Sequence, residues 1–134
     1  MMELELGSDQ KFAFAAIAAM SLVSLAAGER SEDELEEIYI QIHESDVISN
    51  ETEFALEALE ELNDRLELNF SRGKEEILAD VIALQLEHEQ SVEIINMALD
   101  VVKSNKVVVA EKIDMLSEIC HSLNLYSSDF SFTD

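Results

Sequence analysis

The sequence predicts an all-α fold: a single compact bundle of about six or seven helices with an internal pseudo-two-fold helix–turn–helix repeat. Three observations carry this. Proline is absent and only Gly7, Gly28 and Gly73 occur among 134 residues, so long helices with short turns are favoured. Apolar residues recur every three or four positions through most of the chain. The stretch Leu25–Leu35 also has a second copy at Val102–Lys112. Gly28 and Asn105 stand 77 positions apart, as do Glu34 and Glu111, Leu22 and Leu99, Met20 and Met97, Ile38 and Met115, and Ile42 and Ile119. The length fits one domain over residues 1–134, with a core at about 8–125 and a tail at 126–134.

In order along the chain, residues 1–7 read as a short frayed arm. Ser8 caps the first helix and Asp9 complements its macrodipole. From Phe12 to Ala27 there is no charge, which predicts a helix buried nearly all round. The run is shorter than the ~20 residues of a membrane span. A secretory signal is not indicated either, since Glu3, Glu5 and Asp9 outnumber Lys11 at its front. Gly28 suits the C′ position. Ser31 and Glu34 form an S-x-x-E capping box opening a second helix with Leu35, Ile38, Ile42 and Tyr39 on its apolar face.

Asn50 and Glu53 suggest another cap, for a third helix carrying Phe54, Leu56, Leu59, Leu62 and Leu66. Ser71-Arg72-Gly73 breaks the pattern. A fourth helix is expected over about Lys74–Glu89, with Ile77, Leu78, Val81, Ile82, Leu84 and Leu86 inside. Ser91 is the expected cap of a fifth, with Ile94, Ile95, Met97, Ala98, Leu99, Val101 and Val102. Val107-Val108-Val109 alone reads as a strand, but the repeat assigns it to a turn. A sixth helix holds Ile113, Met115, Leu116, Ile119, Cys120 and Leu123, and Asn124 suits its C′ position.

Thirty acids against eight bases give a net charge of −22, while 48% apolar residues keep the chain among folded proteins. Phosphate binding needs clustered Lys and Arg, so nucleic acid and anionic membranes are excluded as expected partners. The charge fits a solvated acidic surface; its sharper readings are cation binding, a basic protein partner, or mimicry of nucleic acid. With one cysteine no intramolecular disulfide forms, and Cys120 lies in an apolar helical pattern as an inert thiol, consistent with a reducing cytoplasm. His43, His88 and His121 are far apart, and Glu87-His88-Glu89 lacks the spacing of a zinc helix. The five methionines fall at helical spacing and read as core. No glycine-rich phosphate loop, nucleophile elbow or other catalytic arrangement is present, so no catalytic or cofactor-binding residue is assigned.

The Ala-rich first helix, the turn Ala26-Ala27-Gly28-Glu29-Arg30-Ser31 with Glu34, and the amphipathic second helix resemble the TerB-like domains of the tellurite-resistance group. The second turn, ending in Ala110-Glu111, resembles that family's second copy. The likeness covers about Phe12 to Leu125. It implies a helical module whose turn acids hold a divalent cation. Here Ala27 and Ser104 stand where the family has Asp, and Asn105 where it has Gly; Asn tolerates the left-handed conformation, which would preserve the turn. The retained candidates are Glu29, Glu34, Asp100 and Glu111, facing opposition from Lys103 and Lys106. The expectation is at most a weak divalent-cation site.

These readings converge on a non-enzymatic cytoplasmic module, monomer or homodimer, acting through protein–protein contact or weak cation sensing in a stress or tellurite-resistance context. The alternative is an acidic decoy that occupies a basic surface of another protein.

Overall fold

The computed structural model of the chain describes residues 6–130. Most of the expected frayed arm, and tail residues 131–134, lie outside the described residues. Six helices run in the order α1 (Ser8–Leu25), α2 (Glu32–Glu44), α3 (Thr52–Leu68), α4 (Phe70–Ala83), α5 (His88–Ser104) and α6 (Ala110–Ser122). Short 3₁₀ helices at Ile48–Glu51 and Ser127–Asp129 complete the element list, and no described residue lies in a strand. The fold is all-α.

Helix α1 is the axis of the bundle. Thirteen of its 18 residues are buried, and the other five helices all pack against it. This follows from the uncharged run: Phe12, Ile17, Met20 and Leu22 each favour burial by about 1.5–3 kcal/mol, while five interspersed alanines leave room for neighbouring backbones. No helix among the described residues is long and apolar enough to cross a membrane.

Helix α2 opens as expected. Ser31 Oγ accepts from the Glu34 N–H at 3.1 Å, and Glu34 Oε1 accepts from the Ser31 N–H at 3.0 Å. Ile38 and Ile42 are buried, Leu35 is half-buried, and Tyr39 lies outside the apolar face at 41% exposure. The 3₁₀ helix at Ile48–Glu51 is not signalled by the sequence. Ser45 Oγ starts it by accepting from the N–H groups of Val47 and Ile48.

The expected Asn50–Glu53 cap does not form. Asn50 instead donates to the Asp46 carbonyl, and α3 begins at Thr52. Ala55, Ala58, Leu59, Leu62 and Leu66 make its buried stripe, while Leu56 faces solvent. One residue, Asn69, separates α3 from α4, and its side chain accepts from the Arg72 N–H. The expected break at Ser71-Arg72-Gly73 therefore falls inside the first turn of α4. Gly73 is there for proximity: a Cβ would stand 3.2 Å from both the Arg65 carbonyl oxygen and Leu66 Cδ2 of α3.

Helix α4 ends at Ala83 rather than near Glu89. Gln85 adopts φ 53°, which turns the chain and leaves Leu84 and Leu86 half-buried in the loop, with Ile82 exposed. Helix α5 starts three residues before Ser91, which is buried inside it rather than capping it; the Glu87 N–H is met by Gln90 Oε1 at 3.2 Å. The seven expected apolar residues of α5 are all buried. Val107-Val108-Val109 forms the turn before α6. Asn124 is left-handed at φ 64° and ends α6, with the Leu125 N–H bonding back to the Cys120 carbonyl at 2.8 Å. In the tail, Tyr126 is exposed and Phe130 packs on the core.

Candidate functional site: the paired turns and the adjoining groove

The turns between α1 and α2 and between α5 and α6 lie together. Ser104 Oγ, which bonds the Val101 carbonyl at 2.6 Å, also approaches the Asp33 carbonyl at 3.4 Å. The two turns do not share a conformation. Gly28 sits at φ 113°, whereas Asn105 has φ −88° and ψ 136°, so the left-handed residue expected at Asn105 is absent.

The contact that joins these regions is an ion pair. Lys112 Nζ lies 2.5 Å from Glu34 Oε2, with the side chains 5% and 0% exposed. The other carboxylate oxygen, Oε1, serves the Ser31 N–H and the Ser31 hydroxyl at 3.2 Å. Both oxygens of a fully buried carboxylate are thus satisfied, which is what makes its burial tolerable. Lys112 occupies the buried face of α6 defined by Met115, Leu116 and Ile119. Its sequence signal is a lysine three residues before Met115 and four before Leu116, a position that periodicity reserves for an apolar side chain.

The four candidate cation ligands do not assemble. Glu34 belongs to Lys112. Glu29 and Glu111 are exposed, and exposed Asp100 accepts from Gln41 Nε2 at 3.2 Å. No group of three or more His, Cys, Asp or Glu side chains among the described residues could hold a metal ion. The residues present do not fit the divalent site that the family resemblance implies. Glu34, the one buried member of the four, already has an ammonium partner in Lys112. Lys103 and Lys106 are exposed beside the second turn.

A groove of about 910 Å³, lined in part by Gly28, runs between the α1–α2 turn, α2 and the α3–α4 junction. Arg30 lies in it. Its Nε donates to Ser24 Oγ and its Nη2 to Asn63 Oδ1, both at 2.7 Å. Ser24 is buried on α1 and in turn donates to the Ser21 carbonyl. Burial lowers the Arg30 pKa from its usual value, against the raising influence of Glu34, Glu67 and Tyr39, and the guanidinium remains charged. Leu35, Tyr39, Leu68 and Phe70 provide apolar wall, and Glu29 and Glu67 provide negative charge. Sequence reasoning passed over Arg30 because nothing local marks a lone arginine in a turn as pre-oriented; its partners Ser24 and Asn63 come from two other helices.

His43, His88 and His121 are all exposed and on separate helices. Cys120 is buried, and desolvation, with Asp129 adding to it, pushes its thiol up to about 11. It is protonated and unreactive at neutral pH.

No protein-family model, curated protein or solved structure matches this chain.

Proposed function

We propose that this chain is a non-enzymatic, TerB-like helical module of the cytoplasm that acts by contact with a basic protein partner, in the stress or tellurite-resistance context that the resemblance implies. The observation that carries this reading is the Glu34–Lys112 pair. It ties the start of α2 to the start of α6 and commits the one buried candidate carboxylate to an ammonium, which counts against cation sensing there and leaves surface contact as the use of the fold. Exposed carboxylates occur on all five outer helices, for example Glu36, Glu60, Glu75, Glu93 and Glu118, rather than on one face. That spread supports a module with a general acidic surface over a decoy, which would concentrate its charge to match one basic footprint.

Affinity capture from the native cell, with the full chain as bait, tests the reading. The expected result is one defined basic partner that stays bound in moderate salt. Capture of many unrelated basic proteins, all released together by salt, would favour the decoy.

A further inference from the structure

Arg30 differs from the other arginines. Arg65 and Arg72 each pair with a carboxylate on the surface. Arg30 is half-buried, and among the described residues no carboxylate lies within ion-pair distance of it; its two hydrogen bonds go to neutral acceptors. A guanidinium has five N–H donors in a planar fork. The Ser24 and Asn63 bonds take Nε and one N–H of Nη2 and so fix the plane. Among the described residues Nη1 has no hydrogen-bond partner, and the one buried side-chain polar atom without a partner is Ser21 Oγ. Nη1 therefore reaches the solvent of the groove. Nη1, with the N–H of Nη2 that Asn63 does not use, is left to donate to a carboxylate.

The rest of the groove limits what can bring that carboxylate. At net −22 a bare anion is repelled, so charge on Arg30 alone does not hold one. Leu35, Tyr39 and Phe70 favour an apolar group beside the carboxylate, and Leu68, at 87% exposure, extends that wall outward. Glu29 and Glu67 favour a positive charge in the same groove, with Glu67 near enough to act on the Arg30 guanidinium. The complementary ligand has a terminal carboxylate, an apolar side chain next to it, and a basic residue behind. Its volume suits a few residues of peptide, since ligand pockets run from about 300 to 1,000 Å³.

We infer that the groove at Arg30 binds the carboxyl-terminal end of a partner protein, with an apolar last residue and Lys or Arg shortly before it. Arg30 takes the terminal carboxylate, Leu35, Tyr39 and Phe70 take the apolar side chain, and Glu29 and Glu67 take the basic residue. This rests on the contact-module reading and gives the partner's chemistry.

The test uses the full chain and a pooled library of random hexapeptides attached through their amino ends, prepared once with free carboxyl termini and once as carboxamides. The expected result is enrichment, in the free-acid pool alone, of peptides with an apolar last residue and Lys or Arg upstream. In solution the strongest binder should lose about tenfold or more in affinity as its amide, as expected for losing charge-assisted hydrogen bonds. Arg30→Lys should give a similar loss by removing the fork while keeping the charge. Leu68→Glu, at an exposed position that leaves the core intact, should also weaken the free acid. No enrichment, equal enrichment of acid and amide, or binding indifferent to both Arg30→Lys and Leu68→Glu would overturn the proposal. A captured cellular partner retained by both variants would overturn the groove while leaving the contact module standing. Peptide selection as expected with no captured partner would support the groove and count against the module's proposed partner.

Discussion

Glu34 and Lys112, 78 residues apart in sequence, form a buried ion pair in which every polar atom of the carboxylate is engaged. Breaking such a pair leaves the survivor as an uncompensated buried charge, at a cost of about 3–5 kcal/mol, whereas replacing both partners with apolar groups is often nearly neutral. Lys112→Met alone should therefore lower unfolding free energy by that amount in urea titrations. Glu34→Leu with Lys112→Met should recover much of the loss, less the contribution of the capping box, about 1 kcal/mol. A single Lys112→Met that costs under about 1 kcal/mol would show the pair to be dispensable.

The same pair bears on cation binding, because it occupies Glu34. No Ca²⁺ or Mg²⁺ binding tighter than about millimolar is expected by calorimetry, the weak end for oxygen-ligated sites. Ala27→Asp with Ser104→Asp introduces the two turn carboxylates that the resemblance implies but leaves Lys112 Nζ on Glu34. That double variant should stay weak, and adding Lys112→Met should tighten it. Micromolar binding by the unmodified chain would show that the ammonium does not exclude the ion.

The unequal turns make a paired prediction. Gly28 at φ 113° occupies a region that costs other residues about 1–3 kcal/mol, so Gly28→Ala should destabilise by that amount. Asn105 sits at an ordinary negative φ, and Asn105→Gly should give no gain and a loss of up to about 1 kcal/mol from added freedom of the unfolded chain. Stabilisation by Asn105→Gly would mean that the second turn copies the first.

How far the sequence could be read follows from the range of each signal. The uncharged run of α1, the Ser31–Glu34 box and the apolar stripe of α5 are local patterns, and the helices lie where those patterns place them. The α3–α4 boundary departs from the sequence expectation because Asn69 alone does the work of a loop, and because Gly73 answers to the approach of α3 rather than to a turn. Gln85 takes a left-handed conformation that glutamine does not advertise. The four candidate ligands follow from the resemblance of the turns to a known family, which names positions but not partners across the bundle; for Glu34 that partner is Lys112.

The thiol of Cys120 sets an alkaline limit. Its folded pKa, raised from 9.0 to about 11, means its contribution to stability is complete below pH 9 and is lost as pH rises towards 11. At about 1.4 kcal/mol per unit the loss reaches about 2–3 kcal/mol. Between these pH values the parent should lose more stability than Cys120→Ala, measured by urea unfolding at each pH. Equal slopes would show that the thiol ionises in the fold as freely as in the unfolded chain.

Salt should act on the whole surface. Exposed carboxylates cover five helices, and the ion pairs of Arg65, Arg72 and Lys74 offset few of them. Raising NaCl from very low to moderate concentration screens the excess repulsion, so Tm should rise. An unchanged or lower Tm would show that the surface charges are spaced too widely to interact.

The central position of α1 has a consequence for the order of assembly. It emerges from the ribosome before every helix that encloses it, and among those α5 and α6 come from the opposite half of the chain. A growing chain can pack α3 on its most apolar segment early, but the faces that α5 and α6 cover stay open until those late helices are made, so closure of the bundle awaits contacts of long sequence separation. The acidic helices translated in between, α2 and α3, keep the nascent chain repelling its neighbours during that interval. The surplus of negative charge on the finished surface thus also protects the unfinished one.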